Sequence, residues 1–224
     1  MEVKAGMYQQ RKTRTKFTER CTARLRQKRM EVAAEAARII ATEGQHNYHV
    51  AKTKAAARIG VSERFALPSN VEVKEALCSY QNLYGGERHH DNLEHLRNTA
   101  VGAMQRLREF KPRLVGPVLD GTADEHSRIA LHVFCDSPEI IVLDFLDKGT
   151  PFQQEQRQIR WHDGSHRTIP LILFEVDETT VELSVFDLVI LRQAPPSPID
   201  GKPQQRATLS EVKSLLFQAR LMVR

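Results

Sequence analysis

Cysteine is scarce: Cys21, Cys78 and Cys135 are odd in number and far apart, which argues against a disulfide framework and against a cysteine-rich zinc site. A reducing cytoplasm is the compartment this predicts. Long apolar runs are also missing. None approaches the ~20 residues that a membrane span needs, and the first residues hold no apolar core for a secretory signal. A soluble, intracellular protein without a membrane partner is expected. No segment repeats, and at 224 residues the chain is long enough for one or two domains. Such a chain buries about 70% of the surface that its unfolded form exposes, so it needs no disulfide or metal to hold a fold.

Positive charge is present and unevenly placed. The net charge is +5, yet residues 1–30 alone carry ten Lys and Arg against Glu2 and Glu19, so this segment is +8 and the remainder −3. A charged segment with little to bury reads as a solvated, disordered tail, and one of this sign can also lie along a nucleic-acid backbone.

Beyond the tail, Val32, Ala36, Ile39 and Ile40 recur at helical spacing and Gly44 marks a stop, predicting a helix over 31–43. A second helix is expected over 49–59, ending at Gly60. Ser69 and Glu72 have capping-box spacing ahead of a third, which runs to Gly85-Gly86. Leu93, Leu96, Ala100, Ala103, Met104, Leu107 and Phe110 form one stripe of a fourth, closed by Lys111-Pro112. From 114 the pattern changes to short β-type runs at 114–119, 129–134, 152–161, 168–176 and 181–186. One helix interrupts them over 137–148, with Ile140, Ile141, Leu143 and Leu146 as its buried side, and a last helix covers 209–221. The fold class is therefore α+β, with a tail at 1–30, a helical domain at 31–112 and a sheet domain at 113–224.

Within the sheet domain the chain reads Gly121-Thr122-Ala123-Asp124-Glu125-His126-Ser127-Arg128, followed by the strand from Ile129. This resembles the nucleotidyltransferase fold of the polymerase-β type, in which a Gly-Ser or Gly-Thr loop backs onto a triphosphate and a following strand reads Ser-Asp-x-Asp. In that pattern, carboxylates at i and i+2 share one side of a strand and hold two magnesium ions. Gly121-Thr122 matches the loop and Ser127 the serine, but Arg128 and Ala130 stand where the carboxylates belong, and neither ligates magnesium. The third acidic position falls at Glu182 on a neighbouring strand. The segments 51–56, 67–73, 118–123 and 127–131 are also similar to a group of uncharacterised bacterial proteins that pair a helical front with such a domain.

The resemblance implies a mixed sheet with flanking helices and a degenerate bacterial member that binds a nucleotide or RNA. Gly121, Thr122, Ser127, Arg128 and His132 are its binding candidates, with no metal ligand assigned. Arg128, His132 and Phe134 share the site-facing side of their strand, offering a cation, a titratable ring and a stacking surface. An active transferase is the alternative, with Asp124, Glu125 and Glu182 as displaced catalytic carboxylates and Mg²⁺ as cofactor.

A rival from another class is a transcription regulator using the 31–84 helices, because Ala56 to Ser62 resembles the helix-turn-helix of tetracycline-repressor-type proteins. Leu67-Pro68 arrives too soon for a reading helix of useful length, which argues against sequence-specific DNA recognition. His89, His90, Asp91 and His95, and His162 with His166 around Asp163, match zinc in ligand number only and read as solvated, turn-like stretches.

Overall fold

The computed structural model describes residues 2–45, 47–62 and 67–222, with side chains described from Thr22 onward except at Arg220 and Met222. The protein has an α+β fold, and its contacts divide it into residues 1–84 and 85–224.

The first unit is helical. Helix α1 (Glu2–Glu43) begins far ahead of the 31–43 expected and takes in the segment expected as a tail; its Val32, Ala36, Ile39 and Ile40 point inward as their spacing predicts, against Ala51, Ala55 and Ala56 of α2 (Tyr48–Ile59) and Val73 and Leu77 of α3 (Asn70–Tyr84). Small alanines let α1 and α2 approach closely. The Asn47 side chain accepts from the His49 and Val50 amides to start α2, and Gly60, at φ 70, ends it by donating back into the last turn. The capping box forms: Ser69 Oγ accepts from the Glu72 amide at 3.2 Å, and Glu72 Oε2 accepts from the Ser69 amide at 2.6 Å.

In the second unit, helix α4 (Gly86–Arg106) lays the expected stripe on a five-stranded sheet, so it belongs to the sheet unit and the division falls after Tyr84. The strands are β1 (Arg113–Val115), β2 (Ile129–Phe134), β3 (Gln153–Arg160), β4 (His166–Val176) and β5 (Thr179–Phe186), in the order β1-β2-β5-β4-β3. Only β2 and β5 are parallel. The runs at 129–134 and 181–186 are neighbours in one sheet with the first strand beside them, as expected. Along β2, Ile129, Leu131 and Val133 face the helices, and on β5 Val181, Leu183 and Val185 join them. Helix α6 (Pro138–Asp147) adds Ile141 and Phe145, and α7 (Leu209–Met222) adds Val212. Each such Leu, Ile, Val or Phe removed from water contributes about 1.5–3 kcal/mol.

Two expectations fail here. The strand predicted over 114–119 stops at Val115, because Gly116 adopts φ 72 and Pro117 opens a one-turn helix, α5 (Pro117–Asp120). On α6 the inward positions are Ile141 and Phe145, while Ile140, Leu143 and Leu146 are exposed. A third revision concerns the stretch from His89 to His95, which is helical and part of α4 instead of turn-like.

The opposite face of the sheet holds a smaller cluster of Phe134, Trp161, Ile169 and Phe186, joined by Ile190 and Leu191 from a 3₁₀ turn at Leu188–Leu191. Pairing of β4 with β5 ends at Leu171, next to Pro170, which has no N–H to give, whereas the β3–β4 ladder continues to His166. The hairpin thus extends past the sheet as a two-stranded ribbon.

Candidate functional site

Parallel pairing of β2 with β5 sets Ala130 opposite Glu182, and β4 sets Leu173 on the other side of Glu182. Glu182 is the acid expected at the third position. Its side chain is 7% exposed, and a carboxylate so buried must be paired. Arg157 of β3 reaches across to it with Nη1 2.7 Å from Oε1 and Nη2 2.8 Å from Oε2, a bidentate fork. Arg128, just before β2, brings Nη1 to 3.6 Å from Oε2. Both guanidiniums are about half exposed, at 54% for Arg128 and 51% for Arg157. Two cations and one anion leave the cluster with a net charge of +1, with the cations outermost.

The loop before β2 is tied down from inside. The amides of Gly121 (φ 81) and Thr122 both donate to the Pro117 carbonyl, the latter at 3.0 Å. Those are the amides a phosphate-cradling loop would offer, and here they close the end of α5. Arg97 of α4, itself buried, donates through Nε to the Val118 carbonyl at 3.1 Å and through Nη2 to the Leu119 carbonyl at 3.4 Å. Burial pushes its pKa down. His89 Nε2 meets the Gly121 carbonyl at 3.3 Å, and burial likewise lowers the pKa of that ring. Asp124 Oδ1 accepts from the Ser127 hydroxyl at 2.7 Å and the His126 amide at 3.1 Å, while Ser127 Oγ accepts from the Asp124 amide at 2.9 Å. Glu125 is exposed beside His126.

His132 and Phe134 do lie on the same face of β2, but under cover. His132 is 4% exposed, with its ring edge against Phe186 at 4.7 Å between centroids. Its Nδ1 is buried without a hydrogen-bond partner, and burial together with the nearby Arg206 pushes its pKa down to about 3. Arg206 donates to the Ile190 and Leu191 carbonyls and lies over the Phe134 ring at 5.5 Å. Phe134 therefore offers no free stacking surface.

Of the residues expected in the site, the structure joins Arg128 to Glu182. It uses Gly121, Thr122, Asp124 and Ser127 in local turns, leaves Glu125 in solvent and buries His132. Magnesium demands near-octahedral oxygen ligation, and the residues present do not fit it: both oxygens of Glu182 face guanidiniums, and Arg128 and Ala130 supply no oxygen. Among the described residues no group of three or more His, Cys, Asp or Glu could hold a metal ion. The histidine clusters noted in the sequence are included in that statement.

Sequence reasoning missed Arg157 and Arg97. A signal existed for Arg157, because Glu182 lies between Val181 and Leu183 in a buried strand and an acid there requires a cation from another strand. Nothing local marks Arg97, since its partners are carbonyls on a distant turn. In the first unit, the start of the supposed reading helix after Ser62 lies outside the described residues, and residues 67–69 before α3 are not helical. No family model matches the sequence, and no curated protein matches it.

Proposed function

We propose that this chain is a nucleotidyltransferase-like protein that has lost the two-metal reaction and binds a nucleotide or RNA through its phosphates. The observation that supports this reading most is the Arg128–Glu182–Arg157 cluster. It sits on the β2–β5 pair where the resemblance expects magnesium and carboxylates, and it presents guanidinium N–H groups in their place. A phosphate oxygen accepts from such donors directly, and Glu182 holds both arginines in position without cancelling their charge. The turn at Gly121, anchored by Arg97 and His89, leads along the chain into Arg128. The cytoplasm as compartment belongs to the same proposal; three cysteines, odd in number and far apart in the sequence, support it.

Calorimetric titration with ATP and with a short single-stranded RNA tests the reading. Arg128→Glu places like charges beside Glu182 and should weaken binding at least about tenfold, in line with the worth of a charge-assisted hydrogen bond. Unchanged affinity in that variant, with the fold intact by circular dichroism, would assign binding to another surface.

A further inference from the structure

Strand β3 forms one edge of the sheet, and its backbone edge away from β4 has no neighbour among the described residues. Such a row of free N–H and C=O groups is a template for another strand, and proteins usually blunt it with proline, a bulge or charged side chains, lysine above all. Here Gln153–Arg160 has no proline, glycine or lysine, pairs with β4 residue for residue without a bulge, and is exposed at every position except the half-buried Ile159. We propose that β3 pairs antiparallel with β3 of a second copy of this chain, joining two five-stranded sheets across a two-fold axis at Gln156.

The register follows from parity and charge. In an antiparallel pair, residues opposite each other share a face, so the axis must pass through a residue. Centred on Gln156, each Glu155 stands opposite the partner's Arg157, each Gln154 opposite the second copy's position 158, and Gln153 opposite position 159. Moving the axis to residue 155 sets two Glu155 side chains face to face, and moving it to 157 does the same with two Arg157. Opposite charges directly across a ladder stabilise it and like charges oppose it, so the strand is complementary to itself in the register centred on Gln156.

Helix α6 lies on the same part of the sheet, since Phe145 packs on Phe174 of β4 at 5.0 Å and on Phe152, the residue before β3, at 5.8 Å. Its outer residues Ile140, Leu143 and Leu146 are 47%, 58% and 60% exposed. A helix apolar on nearly all sides is the kind found buried. The two-fold axis is perpendicular to the sheet, so the α6 helices of both copies flank the seam on one face. The Arg128 clusters of both copies lie on the other.

The test combines mass and cross-linking on the full chain. Light scattering at tens of micromolar should give a dimer, and Glu155→Lys should raise its dissociation constant about tenfold, since it replaces both ion pairs with repulsions. Under mild oxidation Gln156→Cys should form a disulfide with itself, found by mass spectrometry as a 156–156 linked peptide. Gln154→Cys alone should not cross-link, whereas mixed with the Gln158→Cys chain it should. A monomer throughout the concentration range would overturn the proposal, as would a dimer that is indifferent to Glu155→Lys and yields no 156–156 peptide. Because Arg157 also forks onto Glu182, anion binding is read separately, by titrating ATP into the same variants.

Discussion

Glu182 and His132 lie on the same face of the sheet and show two ways of burying an ionisable group. Glu182 is paired with the fork of Arg157, whereas His132 is held neutral by burial and by the nearby Arg206, with its Nδ1 unpartnered. In the folded chain the imidazole takes up a proton only near pH 3, but in the unfolded chain it does so near 6.5. Between those values the unfolded state holds more protons, so the His132 contribution to stability is complete above about pH 6.5 and is lost as pH falls, by up to about 1.4 kcal/mol per pH unit. His89, also lowered, adds in the same direction. Urea unfolding followed by the fluorescence of Trp161, the one tryptophan of the chain, should show stability dropping from pH 6.5 to pH 5, above the range where carboxylates contribute. His132→Leu should flatten most of that slope. At pH 8 it should cost little or even stabilise, because it removes a buried nitrogen without a partner, a defect worth about 1–3 kcal/mol. An unaltered slope in the variant would contradict this account of the ring. Alternation along β2 made the shared face of Ala130, His132 and Phe134 legible in the sequence. The burial of His132 and Phe134 was not, because the cover comes from Ile190, Leu191 and Arg206, far along the chain, and no local pattern encodes it.

At the scale of elements, stops and caps carried the most information. Gly60 and the Ser69–Glu72 box end and start helices where their chemistry requires, since a left-handed residue and a side-chain acceptor act within one turn. Ser69→Ala should therefore destabilise the helical unit by about 1 kcal/mol, read from thermal melts by circular dichroism, and an unchanged melt would mean that the box adds nothing. The β1–α5 segment was misread for a related reason. Val115, Val118 and Leu119 are as apolar as a strand, and only the conformation of Gly116 separates strand from helix there. On α6 the apolar residues surround the helix, so periodicity could not choose the inward side; packing of Phe145 against Phe152 and Phe174 chose it.

For the whole molecule, the change from helical to β periodicity announced an α+β fold, but the division at Tyr84 was hidden because α4 has the same pattern whether it packs on helices or on a sheet. No helix among the described residues is long and apolar enough to cross a membrane. The candidate site was legible as an absence, with Arg128 and Ala130 where carboxylates were expected; the compensating Arg157 came from a strand that sequence alone could not place. The central claim is that arginines replace magnesium at the β2–β5 pair, and the most direct test is a titration with ATP carried out with Mg²⁺ and again with a chelator, accompanied by an assay for transfer of labelled nucleotide to protein, RNA or small acceptors. The account predicts equal affinity in both titrations and no transfer. Magnesium-dependent transfer that disappears in Glu182→Gln or Asp124→Asn would contradict it.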